Sequence, residues 1–423
     1  MHRGVARAER PAGGAACTVL RVHSVTSFGL DVLVVGGALA LALLGSKATA
    51  RLALPSAAFF LVGAAFASDI FAGLRASVLT AERVATVALI VILFDGGSSI
   101  GWRRFRVAAV PIVSLGILGT FATAGLVTVF AHWAFGLPWI LAGLLGAAVA
   151  PTDPAVMFSV LGEREVHGRT GTILEGESGA NDPVGIALML GLIELATHAG
   201  ESFWVVVRIF FEQMSIGLAI GLAWGLVERR LMRSLTLPSS GLYAIRTLAG
   251  AGVVYGVATV AHGSGFLAVF VAGLAIGDVR APFKREIEVF QDALSTLAEV
   301  CAFVALGLTI DLTGLGAGRW GEGLAVAAFL AFVARPLVLG PLLAPVRLTR
   351  GERLFVMWGG LKGAVPILLG TFILGAKIVH GERLYETIFV VVLASVVVQG
   401  GTISAAARLF DVGMRRNRAA ERL

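Results

Sequence analysis

The chain has 423 residues, 57% of them hydrophobic and only 14% charged; a soluble domain carries roughly 25% charged residues. No ordinary core could hide this much apolar side chain from water, which excludes a soluble globular enzyme. The net charge of +7 does not point to nucleic acid, because the 34 basic residues lie in short clusters between long apolar runs, where they read as membrane-topology signals.

The runs are continuous rather than alternating, so they fit membrane-spanning helices and not a β-barrel. Residues 1–27 precede them as an expected disordered tail. They hold arginines but no apolar stretch of a signal peptide, so a disordered tail or an over-extended gene start is the expected reading. Candidate spans follow near 28–45, 52–67, 84–100, 107–133, 137–160, 172–197, 203–227, 242–261, 265–278, 292–310, 323–345, 353–376 and 385–408. Residues 411–423 form a short basic tail. The expected fold is therefore an all-α membrane protein of about 13 transmembrane helices, with its membrane domain over 28–410. Cys17 and Cys301 are too far apart for metal spacing.

Basic residues divide unevenly between alternate loops. One set, including Lys47, Arg51, Arg103, Arg164, Arg169, Arg230, Arg285 and Arg350, holds 16, and the other, with Arg75, Arg83, Arg319, Lys377 and Arg383, holds 5. The positive-inside rule makes the first set cytoplasmic in a plasma (inner) membrane, with the N-terminus outside and the C-terminus inside. No loop can hold an ATP-binding domain and no P-loop is present, so ATP-driven transport would need a partner subunit.

Two spans are interrupted. AAVAPTDPAVMF (147–158) places Pro151 and Pro154 around Asp153, and WGGLKGAVPILLG (358–370) places Gly359, Gly360, Gly363 and Pro366 around Lys362. Proline removes a helical N–H and clashes with the preceding turn, so both helices should unwind. Each break falls in the fifth span of a six-span block. With the span near 203–227 as a linker helix, the blocks at about 28–197 and 242–408 take opposite orientations: two inverted six-helix repeats with crossed discontinuous helices. Paired interrupted helices of this kind mark the mid-membrane site of a secondary transporter.

Ionisable side chains inside a membrane are functional by default. Asp153 and Asp182 lie mid-span, the second within GESGANDPVGI (176–186). Helical spacing stacks Ser178 over Asp182 and Glu177 over Asn181, so one face offers a carboxylate and a hydroxyl suited to an alkali cation, and unwound backbone near Thr152 can add carbonyl oxygens. Lys362 is expected to serve the helix ends of its own break. Arg335, mid-span in LAFVARPLVLG, needs a buried partner, for which Glu177 is the first choice. Asp95, in ILFDGGSS, reads equally as part of the cation path or as a solvated residue near a helix end. Glu175, Glu194, Arg208, Arg246 and Glu299 lie nearer span ends or have possible partners, and ion pairing or snorkelling explains most of them; His167 and His262 lie in or near loops.

APTDPAV (150–156), LEGESGANDPVGIAL (174–188), HGSGFLAVFVAGLAIGD (262–278) and GGLKGAVPILLGTF (359–372) together resemble the monovalent cation:proton antiporter family, NhaP-like branch. FQDALSTLAEVCAFVALGLTIDL (290–312) is most similar to its potassium/proton, cell-volume-regulation subgroup. The resemblance covers nearly all of 28–410 and not the cytoplasmic regulatory domain of many subgroup members. It implies a homodimer in membrane lipid, elevator-like alternating access, and no cofactor, Na+ or K+ and H+ being the transported substrates. Asp182 would be the carboxylate shared by cation and proton, with Asp153, Thr152 and Ser178 beside it. Asn181 would mark electroneutral exchange, and Glu177 with Arg335 would be a stabilising pair. Lys362 stands where most members carry arginine, and Asp95 where relatives often carry glutamate. A passive cation channel and an intramembrane aspartic protease with Asp153 and Asp182 as its dyad are the rival readings; the chain lacks a GxGD-type segment.

Overall fold

The structure, a computed structural model, describes residues 55–416 except 155, 158–160, 162–163, 167–168 and 199, together with Gly29, Leu33, Gly36, Gly37 and Ala40. The chain separates into Met1–Ala48 and Thr49–Leu423. In the first unit the five described residues are helical; the expected tail and most of the expected first span lie outside the described residues.

The second unit is helical almost throughout. Its helices are α1 (Ser56–Ile70), α2 (Val78–Val113), α3 (Thr120–Phe135), α4 (Trp139–Val149), α5 (Arg169–Thr197), α6 (Trp204–Ser234), α7 (Ser240–Val260) and α8 (Gly265–Gly277). After these come α9 (Lys284–Gly307), α10 (Ala317–Phe329), α11 (Arg335–Leu343), α12 (Arg350–Trp358), α13 (Ala364–Gly375), α14 (Gly381–Ala394) and α15 (Gly401–Leu409). Among the described residues seven helical stretches are long and apolar enough to cross a membrane, and four shorter apolar helices accompany them. The chain is a multi-pass, α-helical membrane protein.

Most expected spans coincide with helices, and the departures have local causes. The expected loop at Arg103–Arg106 is only a kink: Gly101 adopts φ 66°, a left-handed conformation that favours glycine, and helix resumes at once. The carboxylate of Asp278 accepts the backbone N–H of Arg103 at 2.7 Å, capping that new start. Arg229, Arg230 and Arg233, expected in a loop, lie in the last turns of α6, and Lys284 and Arg285 in the first turn of α9. Ser77 and Ser264 cap α2 and α8, and Thr349 with Glu352 forms a capping box at α12.

Three helix junctions are wide π turns, at Ser114–Gly119, Leu330–Ala334 and Ser395–Gly400. Helices α2 and α8 pack so closely that a Cβ on Gly97 would meet the Phe270 carbonyl, and one on Gly273 the Phe94 carbonyl. Glycine therefore sets the helix spacing there, as small residues do in lipid. Outside the helices, Arg164–Val166 (β1) pairs antiparallel with Met414–Arg416 (β2), joining the loop after the first break to the C-terminal tail.

Candidate functional site

Both expected breaks are present, and they lie against each other. Helix α4 ends at Val149, and residues 150–154 are non-helical; α12 ends at Trp358, and 360–363 are unwound before α13 starts at Ala364. The backbone N–H of Asp153 donates to the Leu361 carbonyl at 2.8 Å, so one unwound strand satisfies the other.

The charges in the breaks cross over. The Lys362 ammonium donates to the carbonyls of Ala150 and Pro151 at 2.9 and 3.0 Å. It thus serves the C-terminal end of the other broken helix, which corrects the expectation that it serves its own. The physical reason is that α4 ends in freed carbonyls, to which a cation is attracted, whereas the carbonyl of Leu361 is already taken. Reciprocally, Asp153 packs against Gly363 at the start of α13, so closely that a Cβ on Gly363 would collide with its carboxylate. A carboxylate at a helix N-terminus is the complementary arrangement. Each break carries the charge that the opposite helix end attracts.

Helix α5 runs past both. Asn181 donates through Nδ2 to Thr152 Oγ1 at 2.8 Å and accepts the Thr152 backbone N–H at 3.3 Å, clamping the first break. Glu177 holds Arg335 by two contacts, at 3.1 and 3.3 Å; the guanidinium also donates to the carbonyls of Met357 and Val356 at the end of α12. This buried bidentate pair fixes α5, α11 and the second break to one another. Ser395, at the third π turn, accepts the Lys362 backbone N–H at 2.9 Å and donates to Gln399, which in turn donates to the Trp358 carbonyl.

Asp182 keeps free capacity among the described residues. It is 3% exposed, its carboxylate is hydrogen-bonded by Ser178 one turn earlier, and its Oδ1 has no hydrogen-bond partner among the described residues. It opens on a cavity of about 190 Å³ whose polar lining includes Asp95, Asp153, Glu175, Ser178 and Ser295. At about 30 Å³ per water such a space holds roughly six waters, enough for a hydrated small ion. The donor set is made of hard carboxylate and hydroxyl oxygens, which suit an alkali cation and not a soft metal.

Of the two readings of Asp95, the geometry places it in the cavity wall, half-buried and hydrogen-bonded to Ser295. Glu175 pairs with Arg104 at 3.4 Å and Arg246 with Glu228 at 3.3 Å, in keeping with ion pairing, and Glu194 contacts His198 at 3.2 Å. Glu299 is half-buried, and no ion pair is seen for it among the described residues; its Oε1, like Glu228 Oε1, is closed off from solvent without a hydrogen-bond partner there. Its spacing on one face with Asp292 and Ser295 could have flagged it. His262 sits in the turn before α8, and His167 lies outside the described residues.

Comparison with known proteins sets this geometry in context. The family model for the transmembrane domain of sodium/hydrogen exchangers matches residues 37–409. A K(+)/H(+) antiporter NhaP from Alkalimonas amylolytica is 34% identical over 385 residues, covering 90% of this chain and 66% of that protein. A K(+)/H(+) antiporter NhaP2 from Shewanella sp. (strain ANA-3) is 34% identical over 378 residues, covering 88% and 66%. The chain thus spans about two thirds of the length of these relatives. In fold it is similar to the solved sodium proton antiporter MjNhaP1 from Methanocaldococcus jannaschii at pH 8, with a TM-score of 0.76 and 24% identity over 88% of this chain and 99% of that one.

Proposed function

We propose that this chain, which belongs to the transmembrane sodium/hydrogen exchanger family, exchanges a monovalent alkali cation, Na+ or K+, for H+. The family is one of transporters, not enzymes, and the ions are its substrates rather than cofactors. The observation that carries the reading is Asp182: a buried carboxylate with an oxygen unpartnered among the described residues, opening on an oxygen-lined cavity beside two interlocked helix breaks.

Asp182 takes either a proton or a cation, and each neutralises it. The bare carboxylate is too costly to carry across a low-dielectric layer, so the site moves only when loaded, and exchange is obligatory. Asp153 and Ser178 complete the cation's oxygen shell, Thr152 holds the unwound backbone in place, and Asp95 receives the ion in the cavity wall. Lys362, Asn181, Glu177 and Arg335 keep the breaks open without taking up the ion. One cation exchanges for one proton, because Asn181 has an amide that cannot carry a second proton.

The architecture behind this is two inverted repeats, about 28–197 and 242–408, around a linker helix, thirteen spans in all, with elevator-like alternating access in a homodimer. The reciprocal contacts of the two breaks support that arrangement. The β1–β2 pair supports placing the loop after the first break and the C-terminal tail on one side, which the basic residues make the cytoplasm of a plasma-membrane protein.

The test is reconstitution into liposomes holding a pH-sensitive dye, with Na+, K+ and Li+ added in turn. Counterflow of protons on addition of at least one cation is the expected result. A cation gradient that dissipates without moving protons would make the protein a channel.

A further inference from the structure

Asp182 lies at the inner end of a row of cavity-lining residues on α5. Glu175, Ser178 and Asp182 follow one another at three- and four-residue spacing, which puts them on one helix face. Ser178 and Asp182 are buried, Glu175 is half-buried, and Ser99, which lines the cavity from α2, is exposed. The cavity thus runs toward solvent between Glu175 and Ser99, two turns of α5 or about 10 Å out from Asp182.

A side chain bridges that mouth. In an unbroken helix the Arg103 N–H would pair with the Ser99 carbonyl four residues back; the kink at Gly101 gives it instead to Asp278, at 2.7 Å. The Arg104 guanidinium serves the Ser99 carbonyl in its stead: Nη1 donates to that carbonyl at 3.3 Å, and Nη2 to the Glu175 carboxylate at 3.4 Å. One planar fork therefore spans the gap between α2 and α5 and engages an oxygen of each. Arg169, at the start of α5, reaches the Val107 carbonyl instead. The Arg104 and Glu175 side chains stay 56% and 27% exposed, and an ion pair so open to water is weak and readily displaced.

We propose that the Glu175 carboxylate and the Ser99 carbonyl form an outer alkali-cation subsite at the cavity mouth, on the way to Asp182, and that Arg104 is a tethered cation occupying it until an incoming Na+ or K+ takes its place. Carboxylate and carbonyl oxygens are the hard ligands such a cation accepts. A guanidinium satisfies the same two oxygens but cannot travel. The ion that replaces it keeps both oxygens engaged, and the guanidinium returns once the ion has moved inward past Ser178 to Asp182. Arg104 is thus a competitor of the transported ion, and it sets the cation concentration at which the mouth fills. The inference rests on the exchange reading for its ion and adds the route by which that ion enters.

The test follows uptake of radiolabelled Na+, or of Rb+ in place of K+, into liposomes beside the dye signal for protons, so that cation entry is read whether or not protons move. Arg104→Gln should raise kcat/KM for the cation about threefold, the release of a partly exposed competitor. Arg104→Lys should lie between that variant and the parent, because an ammonium keeps the charge but not the fork that bridges both oxygens. Arg103→Gln removes the same charge from the adjacent position and should leave kcat/KM close to the parent's. Glu175→Gln should lower kcat/KM by a similar factor, and adding Arg104→Gln to it should bring no further gain, since competitor and ligand act at one subsite.

An equal rise in Arg103→Gln would mean general repulsion at the mouth and would overturn the proposal. An unchanged or lower kcat/KM in Arg104→Gln, or strictly additive effects in the double variant, would overturn it as well. Should Glu175→Gln not fold, the comparison of Arg104→Gln with Arg103→Gln decides alone. Tracer uptake without proton movement, with the Arg104 effect intact, would instead refute the exchange reading and leave the outer subsite in place.

Discussion

Lys362 and Asp153 each sit at a helix end that belongs to the other's half of the chain, and this reciprocity makes a prediction at the residue scale. Lys362→Met leaves the buried carbonyls of Ala150 and Pro151 without their donor, at about 1–3 kcal/mol for each orphaned group. A clear drop in thermal midpoint should accompany loss of exchange, with Lys362→Arg retaining more of both because it keeps the charge; a Met variant as stable as the parent would contradict the crossed arrangement. The residues of the candidate site could be picked out one by one, since a charge within an apolar run announces itself. Their partners were not all so. Glu177 could be matched to Arg335 because both needed a buried counter-charge, but the sequence does not say which helix end Lys362 reaches. That depends on how two segments about 200 residues apart cross.

At the scale of elements, Glu177 and Arg335 hold α5, α11 and the end of α12 together. Removing either partner strands a buried charge, at about 3–5 kcal/mol. Glu177→Gln, Arg335→Gln and the double variant should therefore be strongly non-additive, and strictly additive losses would mean that the pair contributes no coupling. Gly363→Ala should impair exchange severely, because the added methyl collides with the Asp153 carboxylate; an unaffected cation KM in that variant would show that Asp153 does not need its place at the start of α13. The loop after α9 offers a pH test. The Gly314 N–H and the Thr313 hydroxyl, with Arg75 nearby, hold the exposed Asp311 carboxyl below its ordinary range. A carboxyl lowered in the folded state adds stability at neutral pH that is lost as pH falls through its folded value. Asp311→Asn should be slightly less stable than the parent at neutral pH, the gap closing on acidification; a gap constant with pH would contradict this. Prolines and glycines made the two broken helices legible. The three π turns and the Gly101 kink were not: they leave no periodic signal in the sequence, and the kink is capped by Asp278, distant along the chain.

For the whole molecule, the number and placement of apolar runs carried the fold class, and the paired breaks pointed to where the site would lie. Stoichiometry is a property of the complete cycle. One-for-one exchange predicts that the steady-state ion gradient in liposomes does not respond to a clamped membrane potential, and a gradient that shifts with the potential would contradict it. The most direct test of the central claim, that a single carboxylate alternates between proton and cation, is cation-driven proton flux through Asp182→Asn in those liposomes beside the parent protein. The expected result is a folded variant, with a thermal midpoint close to the parent's, that moves no protons with Na+, K+ or Li+. Exchange at the parent's rate in Asp182→Asn would contradict the claim and move the site to another carboxylate.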